Sequence, residues 1–294
     1  MTRAVFGEGR TIIWLASYLK SGSTWLRSLL TAYLAGPENF DLNAMVGGQE
    51  AFLREALDDH AGITSANYSA NELIPYQADF FRSLAAEAAA PCFIKTHSAH
   101  RKSASGVSLF PAEASAGVVH IVRDPVDVVP SYAHHEGRDF DHIIQRMADP
   151  DAAMDLWSGR SSMMVPQIVS SWSENVSSWV EQREIPLMLL RYEDLQADAC
   201  AAFSKVLRFC GIEVDPARVA AAVDRCRLDR LQKDEAGTGF TEKPSPLREF
   251  FRSGRVGDGQ RKLSRDQIAK VTRDHAAMMK QLHYAVDLEK EQLQ

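Results

Sequence analysis

Apolar residues are distributed along the chain in two patterns that predict different elements. Four short runs, rich in Ile, Val and Leu, predict buried strands at residues 11–16, 92–95, 117–122 and 186–191. Segments with helical spacing separate these runs. Strands that alternate with helices are typical of a parallel sheet covered on both faces. We therefore predict an α/β fold with a central parallel β-sheet flanked by helices.

Helical spacing is clearest after the first strand, where Ser23 or Thr24 can cap a helix that ends before Gly36. The same spacing predicts further helices at residues 77–89, 126–134, 167–182, 199–210, 216–225 and 265–281. Long polar stretches lie between the elements, at residues 98–115, 135–164 and 234–262. Loops of this length either act as lids and binding loops or are disordered surface segments.

The composition narrows the class of protein. The 294 residues are 45% hydrophobic, and no linker or repeat divides them, so we expect a single domain over residues 1–294. A net charge of −6 argues against nucleic-acid binding, although a few basic groups can still converge on one anionic ligand. The four cysteines form no C-x-x-C pair, so we expect no structural metal. The first apolar run is too short for a signal peptide or a membrane span, which predicts a cytoplasmic location and no membrane partner.

The segment from residue 17 to residue 25 has the features of an anion site. It joins the first strand to the first helix, and a short glycine-containing turn before a helix directs free N–H groups and the helix dipole at a phosphate. Lys20 adds a positive charge, and nearby hydroxyl groups add donors. The segment is not a Walker A motif, because Lys20 precedes Gly22. A capped helix with a surface lysine fits this segment equally well.

Basic and hydroxyl-bearing residues also follow the second and third strands. Lys95 and His97 end the second strand, where a histidine can act as a general base. His100 is nearby and competes for that role. Arg123 ends the third strand and precedes Ser131 by eight residues, a pair that can bind a phosphate. Taken alone, each residue fits a structural role as well.

In this order, the motifs resemble those of the PAPS-dependent sulfotransferase family, where PAPS is 3′-phosphoadenosine 5′-phosphosulfate. That family's Y-P-K-S-G-T-T-W loop corresponds to residues 18–25, and its K-T-H element to residues 95–97. Its R-[ND]-P-x-D element, its Y-E-D-L segment and its late R-K-G-x-x-G-D loop correspond to residues 123–127, 192–195 and 252–258. The resemblance covers about residues 11–260. Residues 171–179 with 191–194 are most similar to bacterial enzymes that sulfate natural products, although core packing of a helix is the favoured explanation of the first of these segments.

The resemblance implies a role for each matching residue. It implies that His97 deprotonates the acceptor hydroxyl, that Lys95 stabilises the transferring sulfuryl group, and that Lys20 stabilises the departing 3′,5′-diphosphoadenosine (PAP). It implies 5′-phosphate binding by a P-loop-like strand, loop and helix through Lys20, Ser21, Gly22, Ser23 and Thr24. It places the 3′-phosphate at Arg123, Ser131, Arg252, Ser253 and Gly254, and adenine at Trp25, Tyr192, Cys226 and Leu228. The implied acceptor is a small molecule with a hydroxyl group, and no metal is required.

Several residues depart from the family pattern. Leu19 replaces the proline of the loop, and Ser253 replaces a lysine. Gly259 stands where a tryptophan is common, and Arg227 and Leu228 differ from the usual residues near adenine. The C-terminal dimer motif K-x-x-x-T-V-x-x-x-E is not recognisable near residues 260–269, so a homodimer would have to form by another route. Two other functions remain open: a catalytically silent protein that binds PAPS or PAP, and an ATP-dependent kinase of the P-loop class.

Overall fold

The computed structural model describes residues 9–48, 50–154, 163–244 and 247–285. Its main sheet is parallel and has the strand order β2-β1-β3-β6. These strands are β1 (Ile12–Ser17), β2 (Cys92–Thr96), β3 (Ser115–Val122) and β6 (Leu187–Arg191). A separate antiparallel pair is formed by β4 (Ala153–Met154) and β5 (Gln167–Ile168). The predicted parallel sheet is confirmed.

Burial explains why the two central strands, β1 and β3, were predictable. Every residue of β1 and of β3 is buried, because helices cover both faces of the sheet. In register, Leu15 of β1 lies between Lys95 of β2 and Val119 of β3. The four strands run in the same direction, so their carboxyl ends form one edge of the sheet. The residues that follow them therefore meet at that edge.

Each helix predicted from apolar spacing is present, but the structure adds helices that the spacing did not predict, two of them inside polar stretches predicted to be loops, at Phe140–Ala148 and Asp258–Lys262. None of the helices in the described residues combines the length and the apolar composition that a bilayer span requires. The α-helices are α1 (Ser23–Ala35), α2 (Arg54–Ala61), α3 (Ile74–Glu87), α4 (Pro125–Glu136), α5 (Phe140–Ala148), α6 (Trp172–Glu181), α7 (Tyr192–Ala197), α8 (Ala199–Phe209), α9 (Pro216–Arg225), α10 (Leu228–Thr238), α11 (Asp258–Lys262) and α12 (Arg265–Gln281).

One predicted helix begins later than its spacing suggested. Residues 167–182 were predicted to be helical throughout, but α6 starts at Trp172. Ser171 and Glu174 form a capping box that fixes this start, and residues 167 and 168 pair with β4 instead. The segment before the cap is therefore free to contact the residues that follow β2.

Candidate active site

A cavity of about 480 Å³ opens at the carboxyl edge of the main sheet. Ligands bind at this edge in open α/β sheets, because the loops that follow the strands converge there. Of the predicted site residues, Ser21 does not line the cavity; it is fully buried, and its hydroxyl has no hydrogen-bond partner. The structure brings all the others to the cavity: Lys20, Gly22, Ser23, Thr24, Trp25, Lys95, His97, Arg123, Ser131, Tyr192, Cys226, Leu228, Arg252, Ser253 and Gly254.

The turn between β1 and α1 requires unusual backbone angles. Lys20 has a φ of 62° and Gly22 a φ of 109°. A Cβ atom on residue 22 would lie 2.6 Å from Cδ2 of Tyr192, so the turn accepts only glycine there. No side chain caps α1, and the N–H groups of a first helical turn have no partner within the helix. The turn therefore provides donors for an anion.

Lys20 lies among other cations and against an aromatic ring. Its Nζ is 4.0 Å from the centroid of the Phe250 ring and 3.5 Å from Nδ1 of His135. Burial, and then the positive charges around it, lower the pKa of Lys20 to about 7. These charges belong to Lys95, Arg123 and Arg252. Mutual repulsion among four buried or half-buried cations favours a ligand with several negative charges.

The His97 side chain is held by hydrogen bonds on one side and is open to the cavity on the other. Its Nδ1 donates to the main-chain carbonyl of Ser17 at 2.9 Å. Its main-chain N–H donates to Oε1 of Gln167, and its carbonyl accepts from Nδ2 of Asn175. Burial, and then the charge of Lys95, lower the pKa of His97 to about 3. The imidazole is therefore neutral, and Nε2 keeps its lone pair for a proton.

His100, the competing candidate, does not reach the cavity. Its ring stacks on Phe110 with centroids 5.8 Å apart and packs edge-on against Trp179. Its main-chain N–H donates to the hydroxyl of Ser178. Of the two histidines, only His97 lines the site.

Lys95 and Arg27 share one carboxylate. Nζ of Lys95 lies 3.1 Å from Oε2 of Glu242, and Nη1 of Arg27 lies 2.7 Å from Oε1 and 3.0 Å from Oε2. Burial lowers the pKa of Lys95, whereas the Glu242 charge opposes this shift. The carboxylate pairs with the two buried cations at once.

Arg123 is fixed by contacts with two later segments of the chain. Nη2 donates to the carbonyl of Arg255 at 2.9 Å, and the guanidinium lies 4.5 Å from the centroid of the Tyr192 ring. Nε is buried and has no hydrogen-bond partner. Tyr192 in turn donates from its hydroxyl to the carbonyl of Gly254 at 2.7 Å. The guanidinium thus retains a donor for an anionic ligand.

Two aspartates hold the basic segment at residues 252–259 in place. Asp127 is buried, and its carboxylate accepts hydrogen bonds from the N–H groups of Gly257 and Gly259, each at 2.7 Å. Asp258 lies 3.2 Å from Nη2 of Arg252, and it also pairs with two cations of α11. A Cβ on residue 259 would lie 2.1 Å from the carbonyl oxygen of Val126, which explains why a glycine replaces the tryptophan common in the family.

Aromatic and apolar side chains line another part of the cavity. Nε1 of Trp25 donates to the carbonyl of Cys226 at 3.1 Å, and the Trp25 and Tyr192 rings pack edge to face with centroids 5.8 Å apart. Leu228 lines the same cavity at the start of α10. Such a surface suits the flat, partly apolar ring of a nucleobase.

Several residues of the cavity were not singled out from the sequence, and four of them contact or lie near the predicted catalytic groups. His134 and His135 lie on α4 after Ser131, and Glu242 and Phe250 lie in the long polar stretch before Arg252. The sequence does not predict that this glutamate and this phenylalanine line the site, because their segment has no periodic pattern. Only the tertiary structure brings them to Lys95 and Lys20. Among the residues described, no cluster of three or more His, Cys, Asp or Glu side chains could hold a metal ion.

Comparison with known proteins agrees with this geometry. Residues 10–283 match the sulfotransferase domain family. The chain is 23% identical over 277 residues to cytosolic sulfotransferase 1 of Arabidopsis thaliana, which covers 89% of this chain and 76% of the relative. It is 25% identical over 256 residues to sulfotransferase 1A1 of Rattus norvegicus, covering 83% of this chain and 76% of that protein.

A solved structure has the same fold. The crystal structure of retinol dehydratase in complex with androsterone and the inactive cofactor PAP superposes with a TM-score of 0.59. The superposition covers 92% of this chain and 81% of that one at 16% sequence identity.

Proposed function

The chain belongs to the sulfotransferase domain family and is a PAPS-dependent sulfotransferase, and we propose that its acceptor is a hydroxyl group of a small molecule. We assign His97 as the general base, Lys20 as the residue that stabilises the departing PAP, and Lys95 as the residue that stabilises the transferring group. One observation carries this proposal. A single cavity at the sheet edge is lined by Lys20, Lys95, His97 and Arg123, which come from three different strand ends.

The lining of the cavity fits a doubly phosphorylated adenosine. The N–H groups at the start of α1, with Lys20, Ser23 and Thr24, would hold the 5′-phosphosulfate. Arg123 has an unpartnered buried Nε, and with Ser131 and the segment Arg252 to Gly254 it would hold the 3′-phosphate. Trp25, Tyr192, Cys226 and Leu228 would contact adenine. Bound there, PAPS supplies the sulfuryl group and an easily displaced phosphate.

The residues of this chain perform the proton and charge chemistry. Neutral His97 accepts the proton of the acceptor hydroxyl at Nε2, so the acceptor oxygen becomes a stronger nucleophile as it attacks. Lys95 and Lys20 are positioned to offset negative charge that develops on the transferring group and on the departing phosphate. Positioning and fixed positive charge are the main requirements of such in-line transfer, as they are for phosphoryl transfer.

The remainder of the cavity favours an acceptor with an apolar body. Leu19, Met154, Leu247 and Phe250 line it beyond the nucleotide-binding residues. A cytoplasmic location is supported by relatives that are named cytosolic, and it stays a prediction, as do the bacterial origin and any homodimer.

An acceptor screen tests the proposed function. The purified chain is incubated with ³⁵S-labelled PAPS and a panel of phenols, alcohols, sugars and aromatic peptides, and products are identified by mass spectrometry. We expect a sulfated product whose formation requires His97. Tight PAP binding with no sulfated product from any class of acceptor would instead favour a silent nucleotide-binding protein.

A further inference from the structure

Glu242 occupies an unusual place for a carboxylate, because it lines a cavity whose other charged groups are mostly cations. It lies after α10, in a segment of which the structure describes residues 241–244 and 247–254. The Arg27 side chain is 1% exposed and that of Lys95 is 8% exposed, whereas that of Glu242 is 26% exposed. Two buried cations therefore depend on one carboxylate that comes from a distant part of the sequence.

The geometry around Glu242 is that of a fixed ion triad. Arg27 is itself anchored, because Nε donates to the carbonyl of Val46 at 2.8 Å. Its Nη1 contacts both carboxylate oxygens, so the Glu242 side chain has one defined orientation. Lys95 then contacts Oε2 from the other side at 3.1 Å. Breaking such a buried pair leaves an uncompensated charge, which makes the triad sensitive to the loss of one member.

Residues 247–254 contact the rest of the site. The Phe250 ring packs against the Lys20 ammonium. The main-chain N–H groups of Phe250 and Phe251 donate to the buried carboxylate of Glu235. Residues 252–254 line the cavity beside Arg123. Glu242 thus contacts Lys95, and Glu235 holds residues 250 and 251, of which Phe250 contacts Lys20.

We infer that Glu242 is a positioning residue, which holds the Lys95 ammonium at the site of transfer and fastens residues 241–244 against α1. The inference rests on the proposed function in assigning transfer chemistry to Lys95. The ion triad itself does not depend on that assignment.

The ionisation of Lys95 gives the inference a measurable consequence. Burial lowers the pKa of Lys95 and the Glu242 charge raises it, so removing that charge lowers the pKa further. The ammonium is required in its charged form, and activity is therefore lost as pH rises through this pKa. The other charged or titratable groups near the amine are Arg27 on α1, Lys20 after β1, His135 on α4 and His97 at the end of β2.

The kinetic test compares Glu242→Gln, which keeps the shape and removes the charge, with Glu242→Asp, which keeps the charge. For Glu242→Gln we expect kcat to fall about tenfold, less than the roughly hundredfold cost of losing a whole transition-state donor. We also expect the alkaline limb of the pH–kcat profile to move to lower pH. Glu242→Asp should retain most of the wild-type kcat and place the alkaline limb of the pH–kcat profile close to its wild-type position. A variant that loses stability but keeps the wild-type pH profile would overturn the inference.

A matched control is available on the surface. Glu113 pairs with Arg82 in an exposed ion pair away from the cavity, so Glu113→Gln should leave kcat and the pH profile unchanged. A similar loss in Glu113→Gln would mean that the kinetic effect is not specific to Glu242.

A second readout does not require activity. In protein labelled with ¹³C at lysine Cε, the Lys95 signal is assigned by its loss in Lys95→Arg, and its pKa is measured by NMR titration. Glu242→Gln should lower this pKa, and in the wild type the signal should shift at acid pH when Glu242 itself is protonated. If neither occurs, the triad is disproved. If both occur in a chain that sulfates no acceptor, the triad stands and the proposed function fails.

Discussion

Nδ1 of His97 donates a hydrogen bond to the main-chain carbonyl of Ser17, across the ends of two neighbouring parallel strands, at 2.9 Å. A carbonyl oxygen only accepts, so this contact places the imidazole proton on Nδ1 and leaves the lone pair on Nε2. The backbone of β1 therefore selects the tautomer that can accept a proton from an acceptor hydroxyl.

Replacing His97 separates catalysis from nucleotide binding. His97→Ala should lower kcat by roughly 10²- to 10⁴-fold, the usual contribution of a general base, and leave the Kd for PAP within about twofold. Turnover is measured with labelled PAPS, and PAP binding by calorimetry. His100→Ala is the control and should retain wild-type turnover, because the His100 ring does not line the cavity. Wild-type turnover in His97→Ala would disprove the assigned base.

The pKa of the His97 imidazole determines how activity depends on pH on the acid side. The pKa of His97 is lowered to about 3, so the neutral base is present at every pH above that value and is lost only as pH falls through it. We expect no loss of kcat/KM, which reports the ionisation of the free enzyme, between about pH 8 and pH 5 from protonation of His97, whereas an unperturbed histidine would lose its base form near 6.5. A limb of the pH–kcat/KM profile near 6.5 that disappears in His97→Gln would contradict this expectation.

Lys20 should take up a proton when the nucleotide binds. Its pKa is lowered to about 7 in the free protein, so at about pH 8 most molecules carry a neutral amine. Bound phosphates raise that pKa and restore the charge, and affinity therefore falls as pH rises above 7. Calorimetry of PAP binding in buffers of different ionisation enthalpy should show uptake approaching about one proton. In Lys20→Arg, whose side chain is always charged, the uptake should disappear; equal uptake in both proteins would disprove the role of Lys20.

Arg123 should contribute to affinity more than to turnover. Arg123→Ala removes a buried guanidinium with an unpartnered Nε, and we expect the Kd for PAP to rise about tenfold to a hundredfold, as for one charged hydrogen bond of about 1.5–3 kcal/mol. At saturating nucleotide, kcat should change much less. Arg82→Ala, which breaks only an exposed pair with Glu113, serves as the control for PAP affinity. An unchanged Kd in Arg123→Ala would remove this residue from the nucleotide site.

Gly22 permits a comparison of backbone strain with steric overlap. Gly137 also has a positive φ, but a Cβ there would meet nothing within 4 Å, so Gly137→Ala should cost only about 1–2 kcal/mol. Gly22→Ala adds a Cβ 2.6 Å from the Tyr192 ring and should cost at least about 3 kcal/mol and weaken PAP binding as well. Chemical denaturation measures both free energies of unfolding. Equal costs would show that Tyr192 moves aside without penalty.

The sequence predicted the two central strands well because every residue of β1 and β3 is buried. The predicted run at residues 92–95 and the observed strand Cys92–Thr96 differ by one residue. Lys20, His97 and Arg123 were found because they lie just beyond the ends of such strands. Their convergence is a consequence of parallel topology.

Residues whose position depends on long-range contacts were not predictable from the sequence. Glu242 contacts Lys95, which is 147 residues away in the sequence, and no periodic pattern around Glu242 predicts that contact. The helix predicted for residues 167–182 began too early for a related reason. The side-chain bonds of a capping box at Ser171 and the pairing of residues 167 and 168 with β4 override the apolar spacing.

The buried carboxylate of Asp127, which holds the N–H groups of Gly257 and Gly259, has a consequence for the energetics of ligand capture. A segment that must fold around its ligand loses conformational entropy at the moment of association, which weakens affinity and slows entry. Here the Asp127 carboxylate already orders the glycine-rich turn through its two hydrogen bonds. The nucleotide should therefore meet a preorganised surface, so that most of its interaction energy is retained as affinity.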